Sequence, residues 1–281
     1  VSVVSDLLPV PLAAGDGELI TKWFEAEEKR AGDYLEKVVE GLPSGAAGSV
    51  RTHVRSGPVG RTLQAVAEEL GVALVVMTTH GRGPLQRAWL GSTADGVIRR
   101  SPCPVLLLRP EEDPPVGEGE SLDPVELDDR PGPFGSVVLP VDGSEASERA
   151  FDPLAGFLAE GAVVHLLRVV PPFVAGGSPY LPHAVREAHD HAAIKRAASE
   201  YLDRFAEQVR ASGFQVETQV VTAGQPAVAV LRVAEEAGAE LIAMSTSGRG
   251  GASRLLLGSV ADKVVRGAPC PVLLSRMPEE G

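Results

Sequence analysis

The chain has 281 residues, of which 44% are hydrophobic, and this is enough for two domains with substantial cores. Its formal net charge is −12, but nine acidic residues against one arginine put −8 of it into residues 111–130. No clustered basic and aromatic surface is indicated and no apolar run is long enough to span a bilayer, which argues against nucleic-acid-binding and membrane proteins. No leader segment is visible, so we expect a cytoplasmic protein.

The first part of the chain alternates between apolar strands and amphipathic helices. Residues 1–4 predict a strand, and apolar residues at helical spacing predict a helix over about 18–40. There follow a strand over 49–55, a helix over Val59–Leu70, a strand over 74–77, a helix over 93–100 and a strand over 105–108. This alternation is typical of a parallel sheet with helices on both faces.

An acidic segment rich in Pro and Gly separates the two parts of the chain. Residues 111–133 have no apolar period, so they predict a solvated and flexible linker. We therefore expect one domain over residues 1–110 and a second over 134–281.

The second part repeats the alternation of strands and helices. The pattern predicts strands over 136–141, 166–170, 241–244 and 271–276 and helices over about 145–159 and 182–211. Asp142 follows the first of these strands. Because ligands of open α/β sheets bind beyond the carboxyl ends of the strands, Asp142 and the loop after 241–244 are expected to face one crevice. The alternative role of Asp142-Gly143 is a simple turn before a helix.

A glycine-rich loop follows the strand over 241–244. Gly248, Gly250 and Gly251 leave no side chain in the way of a ligand, so backbone N–H groups can approach phosphate oxygens. Ser259, with Asp262 three residues later, resembles a capping box at the start of a helix, whose first N–H groups also favour anions. The loop therefore predicts an anion site, although glycines needed only for turn geometry are the alternative.

The chain contains this loop twice. Residues 77–110 align without a gap to residues 244–277, with 20 identities in 34 positions, and the offset is 167 residues. The offset continues upstream, for example from Tyr34 to Tyr201. Such a long period indicates tandem duplication of a whole domain.

The second loop resembles the nucleotide-binding loop of the universal stress protein family. That family's pattern is a glycine, two residues, a second glycine, nine residues, a third glycine and then Ser or Thr. Here Ser245 replaces the first glycine, and Gly248, nine residues, Gly258 and Ser259 supply the rest. Asp142, at the end of a first strand, matches another mark of the family.

The first loop carries the same resemblance. Thr78 replaces the first glycine of the pattern, and Gly81, nine residues, Gly91 and Ser92 follow. The resemblance implies two tandem Rossmann-like α/β domains, each a five-stranded parallel sheet with helices on both faces. It also implies an internal pseudo-dimer through the final strands, over 104–109 and 271–276, and further dimerisation of the whole chain.

The resemblance also implies a ligand, ATP with or without Mg²⁺, and the residues that hold it. In the second repeat Asp142 and the backbone near Val169 would hold adenine and ribose, and the loop and helix start would hold the phosphates. The implied residues of the second repeat are Pro140, Val141, Asp142, Val169, Met244, Ser245, Gly248, Arg249, Gly250, Gly258, Ser259 and Val260. Those of the first repeat are Val3, Met77, Thr78, Gly81, Arg82, Gly83, Gly91, Ser92 and Thr93.

The first repeat, as the sequence stands, lacks a counterpart of Asp142. Subtracting the offset gives 142 − 167 = −25, a position before Val1, so the first strand and helix of this repeat are not matched. The second repeat is therefore expected to carry the better site.

Other reactive side chains give no comparable signal. Cys103 and Cys270 occupy equivalent positions and are interpreted as structural thiols of a reducing compartment. His183, His189 and His191 do not have metal-ligand spacing, so no metal site is expected. No Walker lysine motif or nucleophile elbow is present, so no catalytic residue is assigned.

Three functional classes remain open on the sequence. The favoured one is an ATP-binding regulatory protein of the stress response, which presents a nucleotide-dependent surface to a protein partner. The second is a slow ATPase or autophosphorylating enzyme. The third is a nucleotide-free scaffold. Bound nucleotide would separate the first two from the third, and phosphate release would separate the first from the second.

Overall fold

The computed structural model describes residues 2–4, 17–42, 50–78, 90–108, 133–172, 181–246 and 257–276, with the backbone alone at 2–4, 17–19 and 181–190. Within these residues the chain forms nine strands, eight α-helices and one 3-10 turn. No described helix combines the length and the apolar character needed to cross a membrane.

The first repeat contributes four strands and three helices. The strands are β1 (Ser2–Val4), β2 (Val54–Ser56), β3 (Val75–Thr78) and β4 (Val105–Leu108), and the helices are α1 (Gly17–Glu40), α2 (Val59–Leu70) and α3 (Ser92–Arg100). Gly71 ends α2 with a φ of 58°, a left-handed conformation that glycine adopts without strain. The predicted elements of this repeat are all present, although β2 is shorter than the predicted 49–55.

The second repeat contributes five strands and five helices. The strands are β5 (Phe134–Pro140), β6 (Leu158–Val170), β7 (Gln215–Thr222), β8 (Leu241–Ser245) and β9 (Val272–Ser275). The helices are α4 (Glu145–Glu148), α5 (Phe151–Leu154), α6 (Leu181–Ala211), α7 (Pro226–Glu236) and α8 (Ser259–Gly267).

The helix predicted over 145–159 is wrong as a single element. The structure has the short helices α4 and α5 and a 3-10 turn over Ala155–Phe157 instead. Pro153 has no N–H to donate to the carbonyl of Arg149, four residues earlier, so a regular helix cannot continue through this segment.

Strand β6 is longer than the predicted 166–170 because it begins at Leu158. The β5–β6 register shifts between Phe134 and Ser136, and Gly161, at a φ of 73°, takes up the extra length. Apolar alternation is interrupted at this irregularity, which explains why the pattern revealed only the second half of the strand.

Seven strands form one sheet, in the order β3-β4-β9-β8-β5-β6-β7. Within the second repeat every neighbouring pair is parallel, and β5 is central, with β6 and β7 on one side and β8 and β9 on the other. This confirms the five-stranded parallel sheet that the sequence predicts for the second repeat.

The four described strands of the first repeat are divided between two sheets. Strands β3 and β4 belong to the seven-stranded sheet, whereas β1 and β2 form a separate parallel pair. By the 167-residue offset, β1 corresponds to β6 and β3 to β8, and in the second repeat β5 joins these two. Among the described residues no strand takes that central place in the first repeat.

The two repeats join through their final strands. Strands β4 and β9 are antiparallel, with Val105 opposite Leu274, Leu106 opposite Leu273 and Leu107 opposite Val272. Leu106 and Leu273 are also equivalent by the offset, since 106 + 167 = 273. A local two-fold axis therefore passes through this pair, as expected for the predicted internal pseudo-dimer.

Two hydrophobic cores cover the two faces of the sheet. One core contains residues from both repeats, because α3 packs into it together with α7 and α8. The other core lies beneath α5 and α6. The fully buried large side chains include Ile98 and Leu107 of the first repeat and Leu139, Leu166, Leu202, Ile242, Leu273 and Leu274 of the second. Burying each such side chain stabilises the fold by about 1.5–3 kcal/mol.

Candidate functional site

The strand order of the second repeat creates a crevice at the carboxyl edge of the sheet. The chain builds β5, β6 and β7 in one direction and then returns to the other side of β5 for β8 and β9. Strands β5 and β8 are parallel neighbours, so Asp142, just after β5, and Ser245, the last residue of β8, come from the same edge. This is the position at which open α/β sheets bind ligands.

The carboxylate of Asp142 is oriented by the turn that follows it. Its Oδ1 accepts hydrogen bonds from the backbone N–H of Ser144, at 3.0 Å, and from the Ser144 hydroxyl. The Asp142 N–H donates to Ser147 Oγ at 3.2 Å, and Gly143 turns the chain at a φ of 80°. The turn interpretation of Asp142-Gly143 is thus confirmed, and the same contacts fix a half-buried carboxylate at the crevice.

Arg168 holds the last carbonyl before Asp142. The β5–β6 ladder ends with the bond from Val141 N to Leu167 O, at 2.8 Å, and the Arg168 guanidinium then donates to Val141 O at 3.1 Å. The guanidinium lies 5.7 Å from the centre of the Tyr201 ring. The side chain of Val141 is buried in the core, so only its backbone is at the crevice.

Tyr201 is itself fixed beneath α4. Its hydroxyl donates to Glu148 Oε1 at 2.8 Å. Burial raises the pKa of the Tyr201 phenol, and the bond to Glu148 raises it further. The raised pKa favours the protonated phenol, which is the form that donates to Glu148.

The backbone of Val169 points past the end of β5. Leu167 O accepts from Val141 N, whereas Val170 O accepts from Ala223 N at 3.0 Å, so successive residues of β6 direct their backbone groups to opposite neighbours. Val169 accordingly directs its N–H and C=O to the β5 side. It lies two residues beyond Leu167, whose pairing with Pro140 is the last between the two strands. The N–H and C=O of Val169 can therefore form hydrogen bonds with the edge of a flat ligand in the crevice.

Helix α8 begins at the same crevice. Gly258 N donates to Thr246 O at 2.7 Å, and Thr246 N donates to Ser275 O at 2.9 Å, which ties the helix start to the ends of β8 and β9. Gly258 precedes the helix without a side-chain cap. The N–H groups of Ser259 and Val260 have no intrahelical acceptor, and the helix dipole places partial positive charge there.

The predicted capping box is wrong. Ser259 is the first residue of α8 rather than its cap, and Asp262 forms a two-point ion pair with Arg266, at 3.0 and 2.8 Å. A guanidinium one turn along the helix competes successfully for this carboxylate because it offers two charge-assisted bonds.

The two glycines that precede α3 and α8 have ordinary backbone angles. Gly258 has a φ of −59° and a ψ of 148°, and Gly91, before α3, has −60° and 147°. Any L-amino acid adopts these angles without strain, so turn geometry does not require glycine here. Close approach of another group to the helix start is the remaining reason for a glycine at these positions.

The first repeat presents a partial version of this site. Met77 and Thr78 end β3, and Ser92 and Thr93 begin α3 after Gly91, as their second-repeat equivalents do. Val3 lies in β1, which belongs to the other sheet. Among the described residues of this repeat, no carboxylate corresponds to Asp142.

Part of the predicted site lies outside the described residues. These predicted residues are Gly81, Arg82, Gly83, Gly248, Arg249 and Gly250. Of the remaining second-repeat residues, Met244 is buried in the core and Val260 is half-buried and packs against it. Pro140 and Ser245 are half-buried at the carboxyl ends of β5 and β8.

Sequence reasoning missed an ionic cluster that links the repeats. Asp95 pairs with Arg99 in α3 at 2.7 Å, as Asp262 pairs with Arg266 in α8, and Arg276 donates to the carbonyl of Arg99 at 2.8 Å. The bond to Asp95 raises the pKa of Arg99, and the charge of Asp262 in the other repeat adds to it. The sequence does contain a signal for this cluster, because an Asp and an Arg four residues apart recur at the 167-residue offset.

A second polar row lies on the strands themselves. Ser136 Oγ is 3.3 Å from His165 Nε2, and His165 Nδ1 is 3.1 Å from Glu217 Oε2, beside a cavity of about 280 Å³. The order of hydroxyl, imidazole and carboxylate resembles the catalytic triad of a hydrolase. However, all four N–H groups of the adjacent turn, residues 237–240, donate to backbone carbonyls, so this turn offers no donor for an oxyanion.

The remaining candidates are unremarkable in the structure. Cys103 and Cys270 are half-buried free thiols, and burial raises the pKa of Cys270 to about 11. Within the described ranges, no three His, Cys, Asp or Glu side chains cluster in a way that could hold a metal ion. The side chains of His183 and His189 lie outside that description.

Known proteins resemble both repeats of the chain. A sequence profile of the Universal stress protein family matches residues 1–109 and 133–276. The chain is 28% identical over 248 residues to Universal stress protein Rv1996 of Mycobacterium tuberculosis, covering 86% of this chain and 70% of that protein. It is 36% identical over 147 residues to a universal stress protein of Thermus aquaticus, covering 51% of this chain and 99% of the relative.

The fold comparison extends over the whole chain. The crystal structure of a universal stress protein from Archaeoglobus fulgidus covers 100% of this chain and 88% of its own, with a TM-score of 0.60 at 19% identity. At that identity the likeness concerns the fold alone. Because the family profile matches both repeats, the chain belongs to the universal stress protein family.

Proposed function

We propose that the second repeat binds ATP and that the protein is a nucleotide-dependent regulator of the stress response. The observation that carries the proposal is the convergence of an oriented carboxylate, Asp142, and an uncapped helix start, Gly258, at one crevice. The two ends of this crevice suit the two ends of a nucleoside triphosphate.

The helix end suits phosphate. The first N–H groups of α8, at Ser259 and Val260, would donate to phosphate oxygens, and the dipole would favour their negative charge. Gly258 would let the phosphate approach the backbone. Arg249 would add a charge-assisted contact, and Mg²⁺ would neutralise part of the triphosphate charge when it is bound.

The Asp142 end suits adenine and ribose. Adenine presents an amino group at the edge where guanine presents a carbonyl oxygen, and a carboxylate can only accept hydrogen bonds. Asp142 would therefore accept from the adenine amino group or a ribose hydroxyl, and the Val169 backbone would pair with the base.

The geometry favours binding over hydrolysis. Asp262, in the first turn of α8, is held by Arg266 in a two-point ion pair, so it is poorly suited to act as a general base. We therefore propose a regulatory role, with slow hydrolysis or a nucleotide-free scaffold as the competing outcomes. Cytoplasmic location, dimerisation of the whole chain and a protein partner remain predictions of the sequence.

The Asp142→Asn variant tests the base end of the site. Asparagine keeps an acceptor for Ser144 but replaces one carboxylate oxygen with a donor, which would face the adenine amino group donor to donor. We expect ATP affinity, measured by calorimetry with Mg²⁺, to fall by about tenfold or more while the melting temperature changes little.

The matched control is Asp152→Asn, which makes the same chemical change at an exposed position in the first turn of α5. It should bind ATP like the unmodified protein. Equal ATP affinity of Asp142→Asn and the unmodified protein would remove Asp142 from the site. Failure of the unmodified protein to bind ATP would reject the proposal.

A further inference from the structure

Arg168 occupies an unusual place at the end of the β5–β6 ladder. If the parallel pairing continued by one step, the N–H of Val169 would donate to Val141 O. The structure ends the ladder at Val141 N instead, and Arg168 Nη1 donates to that carbonyl at 3.1 Å. The Arg168 side chain thus takes the place of the Val169 N–H as the donor to Val141 O.

The guanidinium is itself held in place. It lies over the Tyr201 ring, 5.7 Å from its centre, and the Tyr201 hydroxyl donates to Glu148 at 2.8 Å. Glu148 belongs to α4, the helix that the Asp142 turn introduces. The peptide between Val141 and Asp142 is therefore fixed through β6 and α6 on one side and through the Ser144 turn on the other.

We propose that Arg168 is a positioning residue that sets the direction of the Asp142 carboxylate and so determines the preference of the site for adenine over guanine. This inference rests on the proposed function. Arg168 acts through Val141, not by touching the ligand. The bond to Val141 O also accounts for the backbone of Val169 being left for a ligand.

The repeats provide an internal comparison. Tyr201 has an equivalent in the first repeat, Tyr34, but the position equivalent to Arg168 is Val1, since 168 − 167 = 1. Tyr34 is 37% exposed, whereas Tyr201 is half-buried beside its arginine. The arginine therefore accompanies Asp142 in the second repeat, whereas a valine occupies the equivalent position in the first.

The test compares ATP and GTP binding by the full-length chain. Arg168→Met removes the guanidinium but keeps much of the side-chain volume. We expect ATP affinity to fall by about tenfold and GTP affinity to change little, so the ATP-to-GTP affinity ratio falls by a similar factor. Arg168→Lys, which keeps a donor but loses the fork, should restore part of the ratio.

A second variant and a control complete the design. Tyr201→Phe keeps the ring and removes only the bond to Glu148, so it should lower the ratio less than Arg168→Met. Arg210→Met is the control, because Arg210 also donates to a backbone carbonyl, that of Val216 at 3.2 Å, but at the opposite edge of the sheet. It should leave the ratio unchanged.

The outcomes are separable. An unchanged ratio in a folded Arg168→Met protein, or equal losses of ATP and GTP affinity, would overturn the positioning role while leaving the proposed nucleotide site intact. If Arg168→Met does not fold, Arg168→Lys decides by the same ratio. Absence of nucleotide binding by the unmodified protein would overturn the proposed function and this inference together.

Discussion

Gly258 shows how a single residue can be interpreted from its backbone angles. Its φ of −59° is open to any L-amino acid, so a larger residue would not strain the turn. The glycine loop as a sequence pattern leaves two explanations, turn geometry and ligand approach. At this position, and at Gly91, the angles favour the second.

The substitution Gly258→Val tests whether a ligand approaches the start of α8. The added side chain would fill the space above the first N–H groups of α8, so we expect ATP binding to be lost while the melting temperature falls by only a few degrees. Calorimetry and thermal unfolding would measure the two effects. The control is Gly156→Val, since a Cβ at Gly156 meets nothing within 4 Å. Unimpaired ATP binding by Gly258→Val would place the phosphates elsewhere.

Cys270 allows a prediction about reactivity. Burial raises its pKa from 9.0 to about 11, so at pH 8 only on the order of 0.1% is thiolate, the form that reacts. In a Cys103→Ala background, alkylation at pH 8 should be much slower in the folded protein than in urea. The neutral thiol stabilises the fold below pH 9, and this contribution is lost as the pH rises through 11. Equal alkylation rates in folded and unfolded chains would contradict the assignment.

At the scale of elements, the sequence pattern was most accurate where apolar periodicity was regular. The bounds of α2 and β4 agree with the prediction, and β8 agrees to one residue. It failed between β5 and β6, where Pro153 breaks a helical pattern and Gly161 accompanies a register shift. Both failures come from single residues that change backbone hydrogen bonding without changing the average hydrophobicity.

Helices α2 and α3 approach each other closely at two glycines, Gly60 and Gly96. A Cβ on Gly60 would lie 3.7 Å from the backbone of Gly96, which is ordinary contact, so Gly60→Ala fits and favours helix. A leucine there would extend into the Gly96 backbone, which cannot rotate away. We expect Gly60→Leu to lower the free energy of unfolding by about 1–3 kcal/mol in urea titrations. Gly60→Ala should leave it unchanged or raise it by up to about 1 kcal/mol. Similar stabilities for the two variants would show that the helices do not meet as closely as described.

At the scale of the whole molecule, duplication explains most of what could be predicted. The 167-residue offset and the family resemblance predict the α/β class, the parallel sheet and the pairing of the final strands. They do not predict how β1 and β2 separate from β3 and β4, because that depends on which strand lies between them in space. Nor could they find the contacts of Arg168 with Val141 and Tyr201, which join residues 27 and 33 positions away along the chain.

The second repeat contains the more fully described of the two candidate sites. Both repeats present a glycine before an uncapped helix, but only the second has an oriented carboxylate and its supporting arginine among the described residues. The second repeat is therefore the site whose described residues can be tested directly.

The most direct measurement is to denature the purified full-length chain, identify any released nucleotide by mass spectrometry and count moles per chain. We expect at least one ATP or ADP per chain, bound at the second site. About two per chain would show that the first repeat binds nucleotide as well. No released nucleotide, together with no calorimetric binding of added ATP and Mg²⁺, would contradict ATP binding by the second repeat and favour a nucleotide-free scaffold.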